Sequence, residues 1–204
     1  MCGLIAMHTV EKAGFILAEK NELQQMLLIN SLRGSHSTGI AGVNMRANSD
    51  DVSLIKAVGS PEQLYNWKQS DEFFTRMVQK FTTIIGHGRY ATKGDVTAPN
   101  AHPFKEGHIT LAHNGVINNF IALKDYESKA HNHIEVDSHL IAKLFEEGEA
   151  IDVLPKVEGA YVFIWYDSRS ETLNIARNHA RPLFVGTCKN RDTLIFSSEA
   201  ETIQ

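Results

Sequence analysis

Met1-Cys2-Gly3-Leu4-Ile5-Ala6-Met7 opens the chain, and the cysteine in second place decides how the rest is read. An initiator methionine is readily removed when the next residue is as small as cysteine, so the mature chain is expected to begin at Cys2. One residue then carries both a thiol and a free α-amine. In model peptides that amine has a pKa of about 7.7–8, so near neutral pH a useful fraction is unprotonated. A neutral amine can take the thiol proton, directly or through a water, without a histidine partner. Gly3–Met7 itself reads as a short buried strand, and Cys2 taken alone is equally a small residue at the start of that strand.

Composition sets the limits within which this reading must work. A chain of 204 residues with 43% hydrophobic and 22% charged residues is long enough for a packed core and fits a single domain over residues 1–204. The formal net charge of −4, with no run of Lys or Arg, argues against a nucleic-acid surface. Two cysteines, Cys2 and Cys188, are too few for a disulfide framework, and a reducing cytoplasm fits them. No apolar stretch approaches the roughly 20 residues that span a bilayer, and the opening segment is too short for a signal-peptide core. Cys188 reads as a small hydrophobe in a strand.

Hydrophobic spacing outlines the elements. Glu19–Leu32 reads as a helix with Leu23, Met26 and Leu27 on one face and Gly34 just beyond its end. Ile40–Met45 and Val52–Val58 read as paired strands turning at Asn48-Ser49-Asp50-Asp51. Pro61 opens a helical region to about Lys80. Thr82–Gly86 reads as a strand feeding a polar loop, Gly86–Asn100, and Ile109–Ala112 as a strand ending at His113-Asn114-Gly115. Val136–Glu147 reads as a helix striped by Leu140, Ile141, Leu144 and Phe145. Four strands follow: Ala160–Tyr166, Thr172–Ala176, Leu183–Thr187 and Thr193–Phe196, with Lys189-Asn190-Arg191-Asp192 among the turns. Strands first, helices in the middle and strands last suggest a layered α+β fold rather than alternating βαβ units.

Four polar segments fall at the ends of these elements, where a scaffold holds functional groups rigidly. They are Arg33-Gly34-Ser35-His36-Ser37-Thr38-Gly39, Gly86-His87-Gly88-Arg89-Tyr90-Ala91-Thr92-Lys93-Gly94, Asn100-Ala101-His102-Pro103-Phe104 and His113-Asn114-Gly115-Val116-Ile117-Asn118-Asn119. With the terminal Cys2-Gly3 they resemble, in order and spacing, the glutaminase domain of class II glutamine amidotransferases, which are N-terminal-nucleophile hydrolases. The wording is nearest to the glutaminase half of glucosamine-6-phosphate synthase, with the amidophosphoribosyltransferase domain next, and the resemblance runs from Cys2 to about Ala200. It implies a four-layer αββα sandwich of the N-terminal-nucleophile hydrolase type. The implied reaction is hydrolysis of the side-chain amide of L-glutamine through a thioester on Cys2, with no cofactor and no metal.

The resemblance distributes roles residue by residue. Asn114 and Gly115 match the donors of the oxyanion site, although Asn-Gly by itself is commonest in a hairpin turn. Arg89 matches the arginine that grips the substrate carboxylate, a task suited to the two-pronged guanidinium; outside its motif it would be an ordinary surface charge. Asp137 matches the acceptor for the substrate ammonium, and as a helix N-cap it would also serve stability. Thr92 and His102 fall on positions lining the same pocket. Arg33 and Gly34 match the pair beside the terminal cysteine, where a nearby positive charge keeps the amine neutral. His36 stands where an aromatic is usual and has no assigned role. Tyr90 replaces a Trp of the synthase-like members, and Lys93 replaces a His.

Other readings of the same residues remain in view. His131-Asn132-His133 with Asp137 and His139 has the look of a metal cluster, but a polar loop accounts for it as well. Arg33–Gly39 is glycine-rich yet lacks the Gly-Lys-Ser/Thr of a phosphate-cradling loop. A non-catalytic glutamine-sensing module would carry the same grip without turnover, as would a chain that retained Met1. A hydrolase for another amide would have less use for Arg89 and Asp137 together. Because no acceptor half follows Gln204, either the ammonia is expected to go to a separate synthase-type subunit or the chain is a stand-alone glutaminase.

Overall fold

Strand β1, Gly3–Thr9, sets the layering by simple alternation. Its Leu4 and Ala6 join one apolar cluster, whereas Ile5 and Met7 join another on the opposite face, all of them fully buried. A strand buried on both faces requires a layer above and a layer below it. In the computed structural model, which describes residues 2–11, 13–45, 51–65, 68–127, 129–188 and 191–203, both layers are present.

The first sheet contains β1, β2 (Ser37–Val43), β3 (Val52–Val58), β4 (Thr83–Arg89), β9 (Phe184–Thr187) and β10 (Thr193–Ser197), in the order β3-β2-β4-β1-β10-β9. The second contains β5 (Phe104–Glu106), β6 (Ile109–Ile117), β7 (Gly159–Asp167) and β8 (Thr172–Arg177), in that order. Every pairing is antiparallel. Helices α1 (Leu17–Ser31), α2 (Pro61–Tyr65) and α3 (Lys68–Gln79) contact the first sheet. Their Leu23, Met26, Leu27, Phe73 and Met77 pack with Ile5, Ile40, Ile84 and Ile195. Helix α5 (Asp137–Glu147) lies on the second sheet, with α4 (Phe120–Glu127) and the short α6 (Ala150–Val153) beside it. Its expected stripe of Leu140, Ile141, Leu144 and Phe145 meets Leu111, Phe163 and Trp165. Between the sheets lie Leu4, Ala6, Val43, Ile85, Ala112, Val162, Ile164 and Tyr166. The architecture is the α+β, four-layer αββα sandwich that the motifs implied.

Several expectations change in detail. The strand expected over Thr82–Gly86 continues to Arg89, so Gly86-His87-Gly88-Arg89 is sheet rather than loop. Asn114-Gly115 lies inside β6, paired with Val162 and Tyr161, not at a turn beyond it. Neither segment is apolar enough for periodicity to extend the strand, but β1 and β7 supply continuous partners. Strand β5 and helix α4 were not anticipated, being short and weakly patterned. The single helical region from Pro61 is two helices. The turn residues Asn48-Ser49-Asp50 and Lys189-Asn190 lie outside the described residues.

Candidate active site

Antiparallel pairing of β1 with β4 places Gly3 opposite Gly88, so the start of β1 and the end of β4 meet at one end of the sandwich. Cys2 emerges there, and alternation with Leu4 and Ala6 puts its side chain on the face between the sheets. Gly3 permits the close approach: a Cβ on it would fall 2.4 Å from the Asn30 carbonyl oxygen of α1. The thiol is fastened to the chain beyond β4. Tyr90 N–H donates to Cys2 Sγ at 3.3 Å, and the thiol donates to the Tyr90 carbonyl at 3.6 Å. Burial pushes the Cys2 thiol above its usual range, opposed by the Tyr90 N–H and by the Arg89 charge. The resting group is therefore a thiol, which needs a base to become a nucleophile.

One small cavity is lined by Cys2, Arg89, Thr92, His102, Gly115 and Asp137, together with Lys93 and Ser138. Larger depressions exist, such as one of about 410 Å³ beside Arg177 and Phe184, so the convergence of chemical groups rather than size marks the site. Arg89, the last residue of β4, donates through Nη1 to the Asp95 carbonyl at 3.0 Å and through Nη2 to the carbonyls of Lys93 and Gly94. The following loop is thus wrapped around the guanidinium. Asp137 begins α5 but is not its N-cap, which is Val136. Its Oδ2 accepts Ile117 N–H at 3.0 Å and its Oδ1 accepts Ser138 N–H at 2.8 Å, which fixes the carboxylate against the end of β6.

Asn114 stands one residue behind the lining, 1% exposed, with Nδ2 donating to Ser198 Oγ at 3.0 Å. At Gly115 any Cβ would collide with the Ala160 carbonyl at 1.8 Å, so no other residue allows β6 to lie so close to β7 here. Gly34 is similarly confined, with a Cβ position 2.5 Å from Tyr90 N. Arg33 holds the backbone of Cys2: its Nε donates to the Cys2 carbonyl at 3.1 Å and its Nη1 to the Ser198 carbonyl at 3.2 Å, while Glu199 forms an ion pair with it. That pairing largely balances its charge locally, so its position is explained by tethering as much as by electrostatics.

His102 is buried with neither ring nitrogen hydrogen-bonded among the described residues, its ring 3.9 Å from that of His87 and 4.8 Å from Phe104. His87 Nε2 meets the His113 carbonyl at 2.9 Å, and His113 Nδ1 meets Ser138 Oγ at 2.8 Å. Burial holds all three imidazoles neutral: His87 is lowered to about 3, His102 well below the usual range, and His113 lowered despite Asp137. His131 and His139 are instead engaged by Glu147 and Glu106, and among the described residues no three potential ligands converge on a metal position. Cys188 is half-buried against Glu22 and pushed up to about 12, far from nucleophilic character.

Sequence reasoning left His36, Ser198 and Glu199 without roles. His36 Nδ1 accepts the Ala91 N–H at 3.0 Å and its ring stacks on Tyr90 at 4.8 Å, so it pins the loop that follows β4. An imidazole in place of an aromatic in that segment was the available signal. Ser198 and Glu199 sit in what reads as an ordinary polar tail, and only strand pairing brings them beneath Cys2.

A cysteine at the start of an inner strand of an αββα sandwich, sharing one cavity with an Arg and an Asp, is the arrangement of an N-terminal-nucleophile amidotransferase type of site. The chain belongs to the glutamine amidotransferase domain family: a family profile with that description matches residues 38–204. It is 33% identical over 200 residues to glutamine–fructose-6-phosphate aminotransferase (isomerizing) of Streptococcus pyogenes, covering 91% of this chain and 30% of the relative. It is 34% identical over 202 residues to the Listeria innocua protein of the same name, covering 93% and 31%. The chain therefore spans about a third of the length of these curated relatives. The fold matches that of glutamine phosphoribosylpyrophosphate amidotransferase from Bacillus subtilis with a TM-score of 0.70 at 21% identity, covering 98% of this chain and 42% of that one.

Proposed function

We propose that residues 1–204 act as one glutaminase unit that hydrolyses the side-chain amide of L-glutamine on Cys2. The observation that carries this reading is the convergence of Cys2, Arg89 and Asp137 on a single cavity. Once Met1 is removed, the α-amine of Cys2 takes the thiol proton. The thiolate attacks the amide carbon and forms a C–S bond, and the carbonyl oxygen becomes an oxyanion facing Asn114 and the Gly115 N–H. The protonated amine then delivers its proton to the departing nitrogen, the C–N bond breaks, and ammonia leaves a glutamyl thioester. Water, deprotonated by the same amine, attacks the thioester, the C–S bond breaks, and glutamate and the free thiol are restored.

Arg89 in this reading takes the substrate carboxylate in two-pronged fashion, and Asp137 accepts from the substrate ammonium. Thr92 and His102 shape the pocket wall, and Arg33 and Gly34 hold the terminal residue in place. The neutral state of His102 suits a wall that must not compete with the substrate ammonium for Asp137. Ammonia passes to a synthase-type acceptor, and the working compartment is the cytoplasm. Among the described residues, no helix is long and apolar enough to cross a membrane.

Labelling with a glutamine-mimicking electrophile, 6-diazo-5-oxonorleucine, followed by peptide mass mapping tests the reading. A single adduct on Cys2, prevented by excess glutamine, is the expected result. A label confined to Cys188, or one indifferent to glutamine, would contradict it.

A further inference from the structure

We propose that Ser198 is a positioning residue for this reaction, holding the Asn114 carboxamide with one N–H turned toward the oxyanion; the inference rests on the glutaminase reading. Ser198 is 1% exposed and follows directly on β10. Its Oγ accepts two hydrogen bonds, from Asn114 Nδ2 at 3.0 Å and from Leu4 N–H at 3.1 Å. Its own N–H donates to the Leu4 carbonyl at 2.9 Å. Leu4 belongs to β1, two residues from the nucleophile, and Asn114 belongs to β6 in the other sheet. A single hydroxyl oxygen therefore fixes the strand that carries Cys2 relative to the side chain expected to stabilise its intermediate.

The geometry matters because a carboxamide is ambiguous. Its terminal torsion is broad and roughly two-fold, so an untethered Asn exchanges an N–H donor for a carbonyl oxygen by a half turn. An oxygen facing the developing oxyanion would repel it. Ser198 is the partner that holds the carboxamide in one of these orientations. In the structure the hydroxyl oxygen, which also accepts Leu4 N–H, meets Asn114 on the Nδ2 side. One N–H is committed to Ser198, and the planarity of the amide sets the direction of the other.

The surrounding contacts keep the oxygen in place. Ser197 Oγ accepts from Asn30 Nδ2 at 3.2 Å and from Glu199 N–H at 3.0 Å, anchoring the segment to α1. Arg33 closes the other side by donating to the Ser198 carbonyl and pairing with Glu199.

The test is steady-state glutaminase kinetics on mature Ser198→Ala, Ser198→Cys, Ser198→Thr, Asn114→Ala and the Ser198→Ala/Asn114→Ala double variant, with melting temperature as a control. Ser198→Ala is expected to lower kcat at least about tenfold with KM changed less than about twofold, the pattern of an interaction felt mainly in the transition state. Ser198→Thr keeps the hydroxyl and should recover most of kcat. In the Asn114→Ala background, Ser198→Ala should cost nothing further. Ser198→Cys preserves volume with a weak acceptor and reports the same loss should Ser198→Ala fail to fold. Wild-type kcat in Ser198→Ala or Ser198→Cys, or losses that simply multiply in the double variant, would overturn the proposal. A mature wild-type chain whose Cys2 is alkylated by iodoacetamide but which never hydrolyses glutamine would instead remove the glutaminase reading, and the proposal with it.

Discussion

Cys2 Sγ lies 3.3 Å from the amide nitrogen of Tyr90, which donates to it, so the thiol and the loop beyond β4 are held by one contact. The same burial that makes the contact raises the thiol pKa. Reactivity at neutral pH must then come from a base, and the candidate is the α-amine, whose ordinary pKa is about 7.7–8. Protein produced with Met1 retained, in a host lacking methionine aminopeptidase activity, should fold normally yet lose at least about 100-fold in kcat, in line with the usual contribution of general-base catalysis. Mass spectrometry and ammonia release on the two forms check this. Equal turnover would place the base elsewhere.

The proposed grip of Arg89 and Asp137 on the amino-acid head predicts a separation of kinetic effects. Arg89→Lys keeps the charge but loses the two-pronged geometry, and Asp137→Asn loses the acceptor for the ammonium. Both should raise the glutamine KM by about tenfold or more, since a buried charged hydrogen bond is commonly worth about 1.5–3 kcal/mol. Asn114→Ala should instead lower kcat by about 10²–10³ with little change in KM. Initial-rate measurements over a range of glutamine concentrations distinguish the two patterns, and an unchanged KM in Arg89→Lys would take that residue out of the substrate grip.

Lys93 is one of the residues at which this chain departs from the synthase pattern, and it ties the loop across the site. Its Nζ donates to the Ile117 carbonyl at 2.9 Å and lies 4.9 Å from the centre of the Phe120 ring. A cation over an aromatic face is worth about 0.5–1 kcal/mol at a partly exposed position, and the hydrogen bond adds to it. Lys93→Met should therefore increase amide hydrogen exchange across Tyr90–Asn100 and raise KM by roughly threefold to tenfold through a less ordered loop. Unaltered exchange in that segment would show that His36 and Arg89 hold the loop without it.

Three buried neutral imidazoles predict acid sensitivity. His87, His102 and His113 have folded-state pKa values lowered by burial, to about 3 for His87. In the unfolded chain they titrate near 6.5, at the ordinary value of about 6.5 for histidine. The unfolded state therefore binds more protons below that pH. Their contribution to stability is complete above about pH 6.5 and declines as the pH falls toward the folded-state values. Each group adds a slope of up to about 1.4 kcal/mol per pH unit. Urea unfolding between pH 6.5 and 5 should show a shallower slope for His102→Gln than for wild type, and parallel slopes would contradict the assignment.

How much of this was legible in the sequence depends on the kind of signal. The αββα layering came from the motifs, whereas apolar spacing located the strand at Gly3–Met7 and the helix striped by Leu140–Phe145, because burial on one face leaves a period that can be counted. Cys2, Arg89, Thr92, His102, Gly115 and Asp137 were named from motifs and do line one cavity. Periodicity misjudged the segments richest in function: Gly86-His87-Gly88-Arg89 and His113-Asn114-Gly115 have the composition of loops, yet they are strands because neighbouring strands pair with them. Ser198 and Glu199 were illegible for a different reason. Their partners lie 194 residues away for Leu4 and 166 for Arg33, and no local pattern reports such a contact.

The central claim is that the terminal cysteine is the nucleophile for glutamine. Its most direct test is a side-by-side measurement of glutamate and ammonia release by mature wild-type protein and by Cys2→Ala, with intact mass confirming loss of Met1 in both and circular dichroism confirming the fold. The account predicts equal amounts of glutamate and ammonia from wild type and none above background from Cys2→Ala. Release by Cys2→Ala at the wild-type rate would contradict it.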